Sequence, residues 1–190
     1  IEGFSETVSS IISHLGFHSF AAQNTDAAGM AEAFEKKADI ILLADDNRFV
    51  AINVHTNYVS DNNEMTAKGF VAGLVLMAGG LKGKNALVIG CGEVGSHTAK
   101  ILVSMGVAVS VCDINPQLAS ILQKEIKDEL KTDIQIDGRW HLTSRKYLYI
   151  IDATSSADLI DASVVGPETY VAVPGVPFGL SSEAKRKVAN

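Results

Sequence analysis

Leu87-Val88-Ile89-Gly90-Cys91-Gly92-Glu93-Val94-Gly95 is the stretch that decides the fold. Asn85 to Ile89 reads as a buried strand, three glycines follow at G-x-G-x-x-G spacing, and Val94 to Met105 carries apolar residues at helical intervals. Alone, that glycine spacing is a weak signal. Here it leaves a strand, opens a helix, and is followed by a second apolar strand, Val107 to Cys112, that runs into Asp113. Each glycine has its own physical role. Gly90 permits the tight turn, Gly92 lets the main chain approach a pyrophosphate, and Gly95 lets the helix pack on the sheet. The helix start at Glu93 and Val94 presents N–H groups to that anion. The expectation is a dinucleotide site, against the plainer reading of a glycine turn with no ligand.

Asp113 stands 18 residues after Gly95, close to the ~20 at which a carboxylate meets the ribose hydroxyls of NAD. A 2′-phosphate would meet its charge, and Ile114-Asn115-Pro116, which follows, offers no Arg to receive one. NAD is therefore the expected cofactor. Asp113 also reads as a cap for the helix starting at Pro116, a role compatible with the first.

Downstream, a helix from Pro116 through Leu130, a weak strand at Ile134 to Ile136, and strands at Leu148 to Ile151 and Tyr170 to Val173 complete the pattern. The expected architecture is α/β, a Rossmann-type doubly wound parallel sheet with helices on both faces, preceded by a smaller α/β lobe. Open sheets of this kind bind ligands outside the carboxyl ends of their strands. Ala153 and Thr154 after the fourth strand, and Pro174 and Gly175 after the fifth, are thus expected at the adenosine and nicotinamide sides respectively. The alternative for the prolines is that they only shape a tight loop.

Upstream, Phe4, Val8, Ile11, Ile12 and Leu15 mark a helix over residues 5–15 that stops at Gly16. A short strand at Phe17 to Ala21, a helix from the Asn24-Thr25-Asp26 caps through Lys37, and a buried strand at Ile40 to Ala44 are expected next. Asp45-Asp46-Asn47 makes a polar turn into an antiparallel partner, Phe49 to Val54, and Asp61 to Asn63 caps a long helix that ends at Gly79-Gly80. The boundary is placed near Leu81-Lys82-Gly83, giving a substrate lobe over 1–81 and a dinucleotide domain over 82–190. Asp45 ends a buried strand and is expected to face the cleft between the lobes, where a carboxylate can hold a substrate ammonium. A hairpin turn rich in Asp and Asn is the plain alternative. Asn62 is open between helix cap and ligand contact.

Composition closes off other classes. The 190 residues are 47% hydrophobic and 20% charged, enough for a buried core, and aromatics at 6% disfavour an all-β sandwich. The net charge is −6 and no basic cluster exceeds Lys185-Arg186-Lys187, so nucleic acid is not an expected partner. Cys91 and Cys112 are too few for a disulfide framework, which points to a reducing, cytoplasmic compartment. The longest apolar run, Gly69 to Leu81, is 13 residues, short of the ~20 that span a bilayer, and no signal peptide is read. There is no G-x-S-x-G, C-x-x-C or H-E-x-x-H, so hydrolysis and metal chemistry lack their groups. His14, His18, His55, His97 and His141 are scattered and read as structural or exposed. No catalytic base stands out.

Ile41 to Asn47, Leu87 to Gly95, Asp152-Ala153-Thr154, Ala157-Asp158 and Val173-Pro174-Gly175-Val176-Pro177 together resemble the pyrrolysine synthase family, over a match from about Phe4 to the end of the chain. The Ala-Asp-Asp-Asn and Pro-Gly-Val-Pro segments are its specific parts; the glycine fingerprint alone fits amino-acid, shikimate or methylene-tetrahydrofolate dehydrogenases equally well. The resemblance implies NAD-dependent oxidation of the terminal amine of lysine-Nε-3-methylornithine, release of ammonia, and closure of a pyrroline ring. It implies that Asp45 and Asn62 contact substrate and that Gly90, Gly92, Glu93, Val94, Gly95 and Asp113 hold the dinucleotide, with Thr154 and Pro174 on the later strand ends. Measured against the family, helices ahead of Ile1 and a segment beyond Asn190 are expected to be missing. The expected partners are that small-molecule substrate and a second copy in a homodimer, with no membrane. The competing readings are another amino-acid or shikimate-type NAD(P)-dependent dehydrogenase, and a non-catalytic dinucleotide sensor.

Overall fold

The computed structural model describes residues 3–142 and 146–188. The chain divides into two compact units, one ending at Asp61 and the next beginning at Asn62.

In the first unit, helices α1 (Phe4–His14) and α2 (Asp26–Glu35) precede an antiparallel meander of β1 (Ile40–Ala44), β2 (Phe49–Asn53) and β3 (Val59–Asp61). The β1–β2 register pairs Ile41 with Ile52 and Ala44 with Phe49, so Asp45 to Arg48 form the turn. Helix α2 stops two residues before the expected Lys37, because Lys37 takes a left-handed conformation (φ 55°) and the chain turns away. Three expectations need correction. Phe17 to Ala21 forms no strand; Ser19 is instead tied to α1 through its hydroxyl, 2.6 Å from the Ser9 carbonyl oxygen and 2.7 Å from the Ser13 hydroxyl. Strand β1 is not buried: it lies at the edge of its sheet, and only Ile41 is shielded while Ile40, Leu42 and Leu43 stay exposed. Strand β3 is an addition, paired through Val50 and Asp61.

The second unit opens with α3 (Asn62–Met77) and continues as β4 (Asn85–Ile89), α4 (Glu93–Ser104), β5 (Ala108–Cys112), α5 (Pro116–Leu130), β6 (Gln135–Ile136), β7 (Tyr149–Asp152), β8 (Tyr170–Ala172) and α6 (Ser182–Lys185). Its sheet runs β6-β5-β4-β7-β8, every neighbouring pair parallel. The strand alternation divides the core. Ala86, Val88, Val109 and Val111 pack with Val71 and Leu74 of α3, Ala99 and Leu102 of α4, and Leu122 and Ile126 of α5. Leu87, Ile89, Cys112 and Ile150 pack with Trp140, Ile160, Val165 and Leu180.

Helices lie on both faces, as expected, but unequally: α3, α4 and α5 pack on one. The second is covered by a single 3-10 turn (Trp140–Leu142), the irregular chain between β7 and β8, and the four-residue α6. That chain carries no helical apolar period and is broken by Gly166-Pro167; its buried polar groups are met locally, as where the Thr169 hydroxyl accepts from the Gly166 N–H at 2.9 Å. The division between units falls at Asp61 rather than near Leu81. The cause is α3, whose Val71 and Leu74 belong to the apolar core of the second unit.

Candidate functional site

The glycine loop hangs from three strands: Gly90 N–H donates to the Cys112 carbonyl and Ala153 N–H to the Ile89 carbonyl, both at 2.8 Å. Gly90 has φ +91°, and a Cβ there would sit 2.9 Å from the Ala153 carbonyl oxygen, so conformation and packing both demand glycine. A Cβ on Gly95 would strike the Gly90 carbonyl, which fixes how closely α4 approaches the loop. Gly92 differs from both: apart from its chain neighbours, none of the described residues lies within 4 Å of where its Cβ would be. It is also the N-cap of α4, with no side-chain hydrogen bond to the first turn. Glu93 and Val94 therefore begin a helix whose positive end faces an open approach.

Asp113 closes this arrangement. Its Oδ2 accepts from Cys91 N–H at 2.7 Å and its Oδ1 from Asn115 N–H at 2.8 Å. The cap of α5 is Asn115, whose Oδ1 accepts from Gln117 N–H at 3.1 Å, with Pro116 in the first helical position. Asp113 is thus not the helix cap. Ile114 beside it is fully exposed. Cys91 and Cys112 are buried, and burial pushes both thiols up to about 12. Buried among apolar neighbours, they serve as packing residues.

The segments after β7 and β8 meet. Gly175 N–H donates to the Asp152 carbonyl at 3.2 Å, and a Cβ on Gly175 would strike the Thr154 carbonyl. Gly90, Gly95, Ala153, Thr154 and Gly175 accordingly form one cluster, with Pro174 at its edge. Asp152, to which the sequence reading gave no role, stands beside this cluster: it is buried, and both its Oδ1 contacts go to Thr154. An acid ending an apolar strand was the available signal. Also missed was a groove of about 520 Å³ lined by Thr66, Gly69, Phe70 and Gly73 of α3 with Val173 and Phe178. Apolar helical residues carry no sign that distinguishes groove from core.

Asp45 and Asn62 belong to different units. Asp45 Oδ1 accepts from the N–H groups of Asn47 and Arg48, both at 2.7 Å, and these bonds hold its carboxyl below the usual range. The hairpin reading is realised in full. Asn62 is the exposed first residue of α3. Among the described residues, no cluster of His, Cys, Asp and Glu could hold a metal and no helix is long and apolar enough to cross a membrane.

Strand order, glycine loop and terminal acid define a dehydrogenase of the nicotinamide-dinucleotide class. Shikimate dehydrogenase in complex with NADP+ has the same fold (TM-score 0.69, 14% identity, 100% of this chain and 79% of that one). So does quinate dehydrogenase from Corynebacterium glutamicum in complex with NAD (TM-score 0.65, 14% identity, 99% and 83%). Residues 1–60 match the family model described as pyrrolysine biosynthesis protein PylD, N-terminal domain, and residues 62–173 match the alanine dehydrogenase/PNT C-terminal domain. Pyrrolysine synthase of Methanosarcina acetivorans is 31% identical over 98% of this chain and 69% of its own length; that of Methanosarcina barkeri is 29% identical over 98% and 68%. The chain belongs to the pyrrolysine synthase family.

Proposed function

We propose that this chain oxidises the terminal amine of lysine-Nε-3-methylornithine with NAD as acceptor, the step that leads to the pyrroline ring of pyrrolysine. Membership of the family supports the substrate, and Asp113 is the observation that carries the cofactor. Its carboxylate is held at the end of β5 against the glycine loop, where it accepts from two ribose hydroxyls and repels a 2′-phosphate. The open space at Gly92 and the bare first turn of α4 fit a pyrophosphate, received by Gly92, Glu93, Val94 and Gly95. Gly90 leaves the turn that passes beneath it, and Ile114 offers an apolar surface beside Asp113. Ala153 and Thr154 would lie on the adenosine side, and Pro174 and Gly175 on the nicotinamide side.

When bound, the nicotinamide takes up the two electrons and the hydrogen that leave the amine-bearing carbon. The imine left on the substrate is hydrolysed to a semialdehyde with loss of ammonia, and the α-amine closes on it with loss of water. The chain itself has to hold the amine carbon in place and admit a water. Asp45, kept ionised by its own turn, suits a substrate ammonium, and Asn62 supplies an amide at the start of α3. Two buried free thiols fit a reducing, cytoplasmic setting.

The test is incubation with lysine-Nε-3-methylornithine and NAD+ or NADP+. NADH absorbance and a product mass lower by ammonia and two hydrogens are expected, with NADP+ much poorer. NADH formed only from shikimate or simple amino acids would replace this reading with another dehydrogenase. NADH binding with no turnover on any substrate would leave a sensor.

A further inference from the structure

Asp152, the last residue of β7, is fully buried, and its two carboxyl oxygens have unlike surroundings. Oδ1 accepts from the Thr154 N–H at 3.1 Å and the Thr154 hydroxyl at 2.8 Å. Oδ2 is shielded from solvent and has no hydrogen-bond partner among the described residues. It occupies the place where a side chain on residue 179 would go, so Gly179 alone leaves room for it. Main-chain bonds lock the same region: Ile160 N–H to the Gly179 carbonyl at 2.9 Å, Ser181 N–H to the Ile160 carbonyl at 3.0 Å, and Gly175 N–H to the Asp152 carbonyl at 3.2 Å.

A buried carboxyl with an orphaned oxygen is a costly way to fill space. An apolar residue would pack there at less cost, so this carboxyl is expected to do something that packing alone does not. We propose that Asp152 is a positioning residue: through Thr154 on one side and Gly179 on the other, it sets the Pro174 to Phe178 segment in register with the glycine loop. The nicotinamide half of the cofactor is then held in one place relative to the adenosine half. This rests on the dinucleotide reading above, and Asp152 itself touches neither cofactor nor substrate.

The test uses the full chain and two probes, NADH and ADP-ribose, the second lacking the nicotinamide. The readout is the ratio of their dissociation constants, which a general loss of stability does not move. Asp152→Ala should shift that ratio about tenfold against NADH, the worth of a hydrogen bond to a charged group, and Gly179→Ala, which forces a methyl onto Oδ2, should shift it in the same direction. Asp152→Asn keeps an acceptor toward Thr154 and the shape beside Gly179, and should hold the ratio within about twofold. If Asp152→Ala does not fold, Gly179→Ala and Asp152→Asn decide by the same ratio. An unchanged ratio in the Ala variants, or one upset by Asp152→Asn as much as by Asp152→Ala, overturns the proposal. An unaltered chain that binds neither probe overturns the dinucleotide reading and takes this one with it; failure of the positioning role alone leaves that chain binding both.

Discussion

Asp113, the residue after β5, accepts from Cys91 N–H of the glycine loop at 2.7 Å and from Asn115 N–H at 2.8 Å. Asp113→Ala should weaken NADH roughly ten- to a hundredfold, since charge-assisted bonds to the ribose and the brace on Cys91 N–H are lost together; fluorescence titration of NADH measures it. With the thiols of Cys91 and Cys112 held near 12, neither should react with an aromatic disulfide reagent at pH 8 until denaturant is added, and both should then titrate. Asp152 makes a prediction about pH. Burial raises its pKa above the ordinary carboxylate value, opposed by Thr154, so the folded state binds the proton more tightly than the unfolded one. Its contribution is favourable in acid and is lost as pH rises from the ordinary carboxylate range through the folded value. Asp152→Asn should therefore be more stable than the unaltered chain at neutral pH, with the difference shrinking toward pH 4 in paired thermal melts. The roles of Gly90, Gly92 and Gly95 are legible in the sequence because they are local backbone demands. That of Asp152 is not, because its meaning depends on Gly179, which is distant along the chain.

At the scale of elements, α4 is seated by what Gly95 lacks. Gly95→Ala would push a methyl into the Gly90 carbonyl, and the overpacking should cost about 1–3 kcal/mol, read as a lower melting temperature. Asn115→Ala removes the cap of α5 and should cost about 1 kcal/mol while leaving NADH binding unchanged. Helices α1, α4 and α5 and strands β2, β4 and β5 are readable because each carries its own period and punctuation, and α3 by its punctuation alone, the caps before it and Gly79-Gly80 after it. Phe17 to Ala21 misleads: a strand needs a partner, and an apolar run does not say whether one is present. The second face of the sheet misleads for a related reason, since the chain between β7 and β8 covers Leu87 and Ile150 without any repeating pattern.

Across the whole molecule, the two large apolar clusters both lie within the second unit, while the first has Ala33 and Ile41 as its buried apolar residues among those described. Residues 62–190 produced alone should therefore melt cooperatively and bind NADH, whereas a fragment begun at Lys82 should not. The latter discards Val71 and Leu74 from the core, and losing a large buried aliphatic side chain such as Leu74 costs about 2–5 kcal/mol. Calorimetry of the two fragments separates these outcomes and tests the division at Asp61.

The sequence by itself determined the βαβ unit, its glycine turn and the acid after the second strand, since these rest on spacing within a few dozen neighbouring residues, and it pointed to the family through short motifs that can each be read locally. Tertiary structure alone decided that α3 joins the second unit, that Asp45 spends its near oxygen on its own turn, and that Asp152 and Gly179 share one space. Those outcomes depend on which surfaces meet, and contact between distant segments leaves no local pattern to read.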